Sequence, residues 1–261
     1  MPEVTLHEDY DLPLYNVVDS LVICISWSGN TEETISAYQK ARELGLTTTV
    51  ITSGGQLAEL AKKNNNSLVL LINDGIQPRM AVGYMTGALF EILGLGEQLI
   101  GSHMCEPITL EDQGRKIAKQ IGNKTPLIYT TAKYEALAYF WKILFNENCK
   151  IHAFSNYFPR MEHNELAGFN TKDKDKFFYI VLRDETEDPR QNRNLNSALA
   201  IMNQIGHNGV NVNLSGNTLL NKVFDNYVLG LWTSHYLAQE LGVDPSDIKV
   251  IEDFKSLKRT S

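Results

Sequence analysis

The residues best suited to chemistry lie in one short segment, Ser26-Trp27-Ser28-Gly29-Asn30-Thr31, followed by Glu32-Glu33-Thr34. Three hydroxyls and the Asn30 amide surround a single glycine, with no fixed charge among them. The segment falls where a buried strand ends and a helix begins. There, free backbone N–H groups and the positive end of the helix dipole converge, which suits an anion. Gly29 lets the backbone approach a ligand closely, and Ser26, Ser28 and Thr31 add hydroxyl donors. A phosphomonoester fits better than a dinucleotide, because GxGxxG is absent and no Walker-type lysine follows. A plainer reading stands beside it: Ser28 or Thr31 caps the helix while Glu32 and Glu33 complement its dipole.

The elements that must position this loop follow from periodicity. Ser20 to Ser26 is a β-branched, apolar run, and Glu32 to Leu44 carries apolar residues at helical spacing up to Gly45. The pattern recurs with a strand over 47–52, a helix over 56–63, a strand over 67–72 and an apolar helix over 80–93. After a polar stretch at 102–109, taken as a linker, come a helix at 110–121 and a strand at 126–129. A helix at 135–145, strands at 151–154 and 177–182, a helix at 194–205 and a strand at 210–214 follow. Helices at 217–241 and 245–259 close the chain. Continuous rather than alternating apolar strands imply burial on both faces, hence an α/β fold with parallel sheets between helix layers. Two subdomains are implied, 1–104 and 105–261.

Composition narrows the function classes. The 261 residues include 24 Lys+Arg against 31 Asp+Glu, a net charge of −7, with 43% hydrophobic and 21% charged residues. Basic charge is too scarce for a surface that neutralises nucleic-acid phosphates, and the chain is too apolar for disorder. No apolar run approaches the roughly 18–20 residues that span a bilayer, and residues 1–4 carry no secretion signal. Cys24, Cys105 and Cys149 are odd in number and widely spaced, so neither a disulfide framework nor a zinc site follows. The cytoplasm is the expected compartment.

The pattern Ser26-x-Ser28-Gly29-x-Thr31-x-Glu33-Thr34 resembles the signature of sugar isomerase (SIS) domains, which bind phosphosugars. A narrower likeness covers nearly the whole chain. Tyr10-Asp11-Leu12-Pro13, Leu21 to Thr34, Gln77-Pro78-Arg79, Asn146-Glu147-Asn148 and His163-Asn164-Glu165 resemble bifunctional phosphoglucose/phosphomannose isomerases in type and order. The resemblance is loose between Thr171 and Gly216. It implies two SIS-like subdomains of flavodoxin-like, doubly wound character. It also implies an aldose–ketose isomerisation of hexose 6-phosphates in carbohydrate metabolism, without metal or other cofactor.

The resemblance also assigns roles. Glu147 matches the family's base, which moves a proton between C1 and C2 through a cis-enediol, and a helix-end position would raise its pKa. His163 matches the histidine that opens the sugar ring. Arg79 matches an arginine that stabilises developing enediolate charge; otherwise it closes a turn at the surface. Lys255, in Ile251-Glu252-x-Phe254-Lys255, matches a catalytic lysine, with Lys258 as the alternative. Ser26, Ser28, Gly29, Asn30 and Thr31 hold the substrate phosphate. A homodimer with a shared site is implied, His163 coming from the partner.

Two departures bear on this picture. The family's chains begin earlier, with a Gly-Met-Gly-Gly-Ser segment that also contacts the phosphate; 25 residues precede Ser26 here and contain none. The first subdomain is therefore expected to be shortened, and a non-catalytic phosphosugar-binding module is the alternative to an enzyme. In the second half, the counterpart loop Thr130-Thr131-Ala132-Lys133 lacks glycine and the serine pair, so one phosphosugar site per subunit is expected.

Overall fold

The computed structural model describes residues 3–13, 19–71, 75–100 and 105–260. The chain forms two compact units that divide after Gly101. The polar stretch anticipated as a linker lies partly outside the described residues, and its end, Pro107–Leu110, is a 3-10 turn of the second unit. Among the described residues no helix is long and apolar enough to cross a membrane.

The first unit alternates β1 (Leu21–Ser26), α1 (Glu32–Glu43), β2 (Thr47–Thr52), α2 (Gly55–Lys63) and β3 (Ser67–Leu70), then α3 (Val82–Ile92) and α4 (Gly96–Ile100). All three strands are parallel in the order β1-β2-β3, with Ser26 level with Thr52 and Thr52 with Leu70. Central β2 is buried from Thr48 onward, as its unbroken β-branched run requires. Tyr38 and Leu57 of the helices close over Cys24 and Val50 in a core whose burial pushes the Cys24 thiol up to about 12. The expected helix over 80–93 is divided. Pro78–Met80 makes a separate 3-10 turn before α3, because Pro78 supplies no N–H and fixes the turn's entry.

The second unit contains α5 (Glu111–Ile121), β4 (Thr125–Thr131), α6 (Glu135–Cys149), β5 (Phe154–Phe158), β6 (Phe177–Arg183), α7 (Pro189–Ile205), β7 (Asn208–Asn213), α8 (Leu219–Leu241) and α9 (Lys249–Thr260). Its parallel sheet runs β5-β4-β6-β7, so the winding reverses between β4 and β6. Leu195, Ala198, Leu199 and Met202 of α7 pack on Leu127, Tyr129, Tyr179 and Val181. The intervening Ile128, Ile180 and Leu182 point to the other face and are equally buried. Close packing there uses glycine: a Cβ on Gly114 of α5 would lie 2.6 Å from Trp232 Cβ of α8.

Several boundaries differ from the periodicity, the last helix among them, which begins at Lys249 rather than Pro245. β5 lies at 154–158 rather than 151–154. It is an edge strand bonded only to β4, which tolerates Ser155 and Asn156, while the more apolar Ile151-His152-Ala153 is the connection. α7 begins at Pro189 rather than Asn194. Asp188 caps it by accepting from the Arg190 N–H at 2.8 Å, and its first turns are polar and solvated. α6 runs four residues longer than its apolar pattern, to Cys149, which puts Glu147 in its last turn.

Candidate active site

In the first unit, β1 delivers buried Ser26 to the sheet's carboxyl edge, where the chain turns sharply. The Gly29 N–H donates to the Ser26 carbonyl at 3.2 Å and to Ser26 Oγ at 3.1 Å. Gly29 adopts φ +68°, and a Cβ there would stand 1.8 Å from the Gly54 carbonyl oxygen, so only glycine fits. Thr31 is the N-cap of α1, yet its side chain makes no capping bond; Oγ1 lies 2.8 Å from Ser26 Oγ. Ser28 Oγ accepts from the Asn30 N–H at 3.3 Å. The hydroxyls therefore bond within the loop, and the Thr31 side chain does not cap the helix end.

A second segment that periodicity did not single out braces this loop. Ser53-Gly54-Gly55, after β2, donates the Ser53 N–H and Oγ to the Trp27 carbonyl at 2.9 and 2.6 Å. Asn30 Oδ1 accepts from the Gln56 N–H at 3.0 Å. The available signal was a Ser-Gly-Gly run between a strand and a helix, the same grammar as the first loop. Trp27 also carries the loop toward Arg79: its indole donates to the Ile76 carbonyl at 3.2 Å, and its ring packs beside Tyr84 of α3. Arg79 itself is only 5% exposed, so it is not the surface turn residue that Pro-Arg alone suggests. Upstream, Tyr10 donates its hydroxyl to Glu32 at 3.1 Å, setting the 10–13 segment against the start of α1.

In the second unit, Glu147 is half-buried in the last turn of α6. Its flanks are fixed. Asn148 donates to Ser234 Oγ at 2.9 Å, and Lys150, in the left-handed cap position, donates its ammonium to the carbonyls of Glu147 and Asp247. The Asp247 bond brings the segment before α9 beside the end of α6, and Lys255 is exposed on α9. His163 sits elsewhere, exposed on the 3-10 turn Arg160–His163 that follows β5. That turn is anchored two residues on by Glu165, whose carboxylate accepts from Tyr129 and Asn156, both at 2.6 Å.

Glu147 and His163 therefore lie at opposite edges of one sheet. α6 leaves the carboxyl end of β4, runs back along the sheet for 15 residues and ends where β5 starts. That span is about 20 Å at 1.5 Å per residue. A single copy of this unit does not bring the two side chains together.

The carboxyl edge of the second sheet is filled from within. At the reversal between β4 and β6, where an open α/β sheet ordinarily offers a ligand crevice, stands Asp184, 1% exposed. Its carboxylate accepts from Lys222 Nζ at 2.7 Å, Tyr134 at 2.6 Å and Thr186 Oγ1 at 2.7 Å. Burial pushes this carboxyl up, but the bonds from Lys222, Tyr134 and Thr186 outweigh it and hold it well below the ordinary range. The loop there is engaged too. Thr131 Oγ1 donates to Glu187 at 2.8 Å, and Lys133 Nζ lies 3.6 Å from Asp184.

Two parallel α/β units, the first carrying a glycine-opened, hydroxyl-lined loop at a strand's carboxyl end, fit the sugar isomerase (SIS) class of folds. Residues 110–257 match the bacterial phospho-glucose isomerase C-terminal SIS domain. A bifunctional phosphoglucose/phosphomannose isomerase of Thermoplasma volcanium is 34% identical over 97% of this chain and 82% of its own length. One of Aquifex aeolicus is 32% identical over 95% and 79%. The chain belongs to the bifunctional phosphoglucose/phosphomannose isomerase family. Among solved structures, a glucose-6-phosphate isomerase-like protein from Thermus thermophilus shares the fold with TM-score 0.60 at 18% identity, over 98% of this chain and 90% of that one.

Proposed function

We propose that this chain interconverts fructose 6-phosphate with glucose 6-phosphate and mannose 6-phosphate, in the cytoplasm, as a homodimer with shared sites. The observation that carries the reading is the loop at Ser26–Thr31, whose glycine-opened backbone and internally bonded hydroxyls suit a phosphomonoester. The phosphate rests on Ser26, Ser28, Gly29, Asn30 and Thr31. His163 takes the hydroxyl proton as the ring opens and returns one as it closes. Glu147 then removes the proton from C2 of the aldose, giving a cis-enediol, and returns it to C1 to complete the ketose; the reverse path runs from C1 to C2. Delivery to one or the other face of C2 yields the glucose or the mannose configuration. Arg79 stabilises negative charge on the enediolate oxygens, and Lys255 adds a second cation. No step calls for a metal.

The separation of Glu147 and His163 within one chain supports drawing His163 from the partner. Two experiments test the scheme. In a coupled assay, Glu147→Gln lowers kcat by about 10²- to 10⁴-fold while fructose 6-phosphate binding stays nearly unchanged. Equal losses of binding and rate would make Glu147 structural. Mixing inactive Glu147→Gln and His163→Ala chains regenerates one intact site per mixed dimer, so about a quarter of wild-type activity returns with random exchange. Failure of exchanged mixtures to recover activity would remove the shared site.

A further inference from the structure

An open groove outside the site described above is lined by charges of both signs. It lies in the second unit between the end of β6 and the outer face of α7, with a volume of about 560 Å³, in the range of small-molecule pockets. Its central cation is Arg183, half-buried at the last position of β6. Two asparagines one helical turn apart hold the guanidinium: Nε donates to Asn192 Oδ1 at 3.1 Å and Nη1 to Asn196 Oδ1 at 2.9 Å. Among the described residues, no carboxylate forms an ion pair with it. A second guanidinium, Arg193, lines the same groove with Ser197.

The rest of the lining carries the opposite charge. Glu185 is exposed there, and Glu187 is fixed by its two contacts from Thr131 Oγ1, at 2.9 and 2.8 Å. A fixed guanidinium held by neutral amides retains donors for an oxyanion. Two carboxylates in the same lining repel a simple anion and favour a cation. Charge of both signs around one small cavity selects a ligand carrying both.

We propose that this groove binds a small zwitterion, with its oxyanion on Arg183 and Arg193 and its primary ammonium on Glu185 and Glu187. The inference is independent of the isomerase reading, since neither the phosphate loop nor Glu147 takes part. Two kinds of molecule supply the chemistry, an aminohexose phosphate and an α-amino acid. Nitrogen-15 spectra of the full chain, titrated separately with glucosamine 6-phosphate, glutamate, glucose 6-phosphate and inorganic phosphate, distinguish them. The Arg183 Nε–H and the Asn196 and Ser197 amides report the groove, while the Ser28 to Thr31 amides report the first unit's loop.

The expected result is saturable movement of the groove signals with glucosamine 6-phosphate or with glutamate, whichever is the source, and at least about tenfold weaker binding after Arg183→Gln. Arg193→Gln, an exposed change that leaves the fold intact, weakens binding in the same direction, as does Glu185→Gln. Groove signals that move as readily with glucose 6-phosphate or inorganic phosphate would overturn the proposal, because the ammonium would then play no part. So would groove signals that move with none of the four at millimolar concentration, or affinities unchanged in the arginine variants.

Discussion

The two units put the same grammar, strand then turn then helix, to opposite uses at their carboxyl edges. In the first, the turn after β1 carries no charge of its own and is opened by Gly29, so the position beside the helix end suits a visiting anion. In the second, the equivalent position holds the protein's own anion, Asp184, with Lys222 reaching from α8 and Tyr134 from the turn before α6. On the proposed function, one crevice receives a ligand, whereas the other is already filled by the protein's own side chains. The contrast fits, on the proposed function, one phosphosugar site per chain in a protein with two similar units. On that same reading, a chain of net charge −7 would hold an acidic substrate through local N–H and hydroxyl donors and a buried arginine, against an unhelpful overall field.

The largest effect should come from emptying the filled crevice. Asp184→Ala leaves Lys222 buried without its counter-charge, which costs about 3–5 kcal/mol. For a unit of this size that lowers Tm by about 10 °C, measured by calorimetry. Acid should act on the same group. The Asp184 pKa is depressed in the folded state, so its contribution is present above the ordinary carboxylate range and is lost as pH falls through and below it. Amide exchange measured from pH 6 down to pH 3 should show protection falling in β6 and the start of α8, a fall that Asp184→Ala removes. Identical pH profiles with and without the substitution would refute the assignment.

Next in size are changes to the open crevice. Gly29→Ala sets a Cβ against the Gly54 carbonyl at a positive φ, displacing the loop by about an ångström and costing about 100-fold in kcat/KM for fructose 6-phosphate. Ser28→Ala removes one hydroxyl while leaving the backbone path, and should weaken phosphosugar binding by about tenfold. The order matters more than either value. If Ser28→Ala proves the more damaging, the hydroxyls rather than the turn make the cradle.

The open crevice was legible in the sequence because its chemistry is contiguous: Ser26 to Thr31 supply strand end, turn and helix start in six residues. The filled one was not, since Asp184 and Lys222 are separated by a strand end, a helix, a strand and a turn, and each alone reads as a solvated charge. For the same reason the brace from Ser53 to Gly55 left no sequence signal at the loop it supports, and Arg79 carried no mark of burial. Element types followed from periodicity wherever both faces of a strand are buried. Boundaries slipped where an edge strand tolerates polar residues, as at Ser155 and Asn156, or where a helix begins in solvent, as at Asp188 and Pro189. That Glu147 and His163 lie at opposite edges of the sheet follows from topology, because a helix between parallel strands must return to the edge from which its next strand sets out.

The smallest expected effect is the most informative about why the second crevice is filled with charge. Replacing both partners, Asp184→Leu with Lys222→Met, removes the desolvation cost of two buried charges together with their attraction, and such exchanges are often neutral or stabilising by about 1–4 kcal/mol. Tyr134 and Thr186 lose an acceptor, which offsets part of that gain, so a Tm within a few degrees of the wild type is expected. Were the pair retained for stability alone, the double variant would melt as low as Asp184→Ala. A near-normal Tm would instead show that attraction and desolvation nearly cancel in the pair, which then fills the crevice at little net gain in stability. The double variant should then acquire no phosphosugar affinity, because its loop still lacks the glycine turn. Adding Gly-containing residues at 130–133 would be needed before a second site appeared by titration.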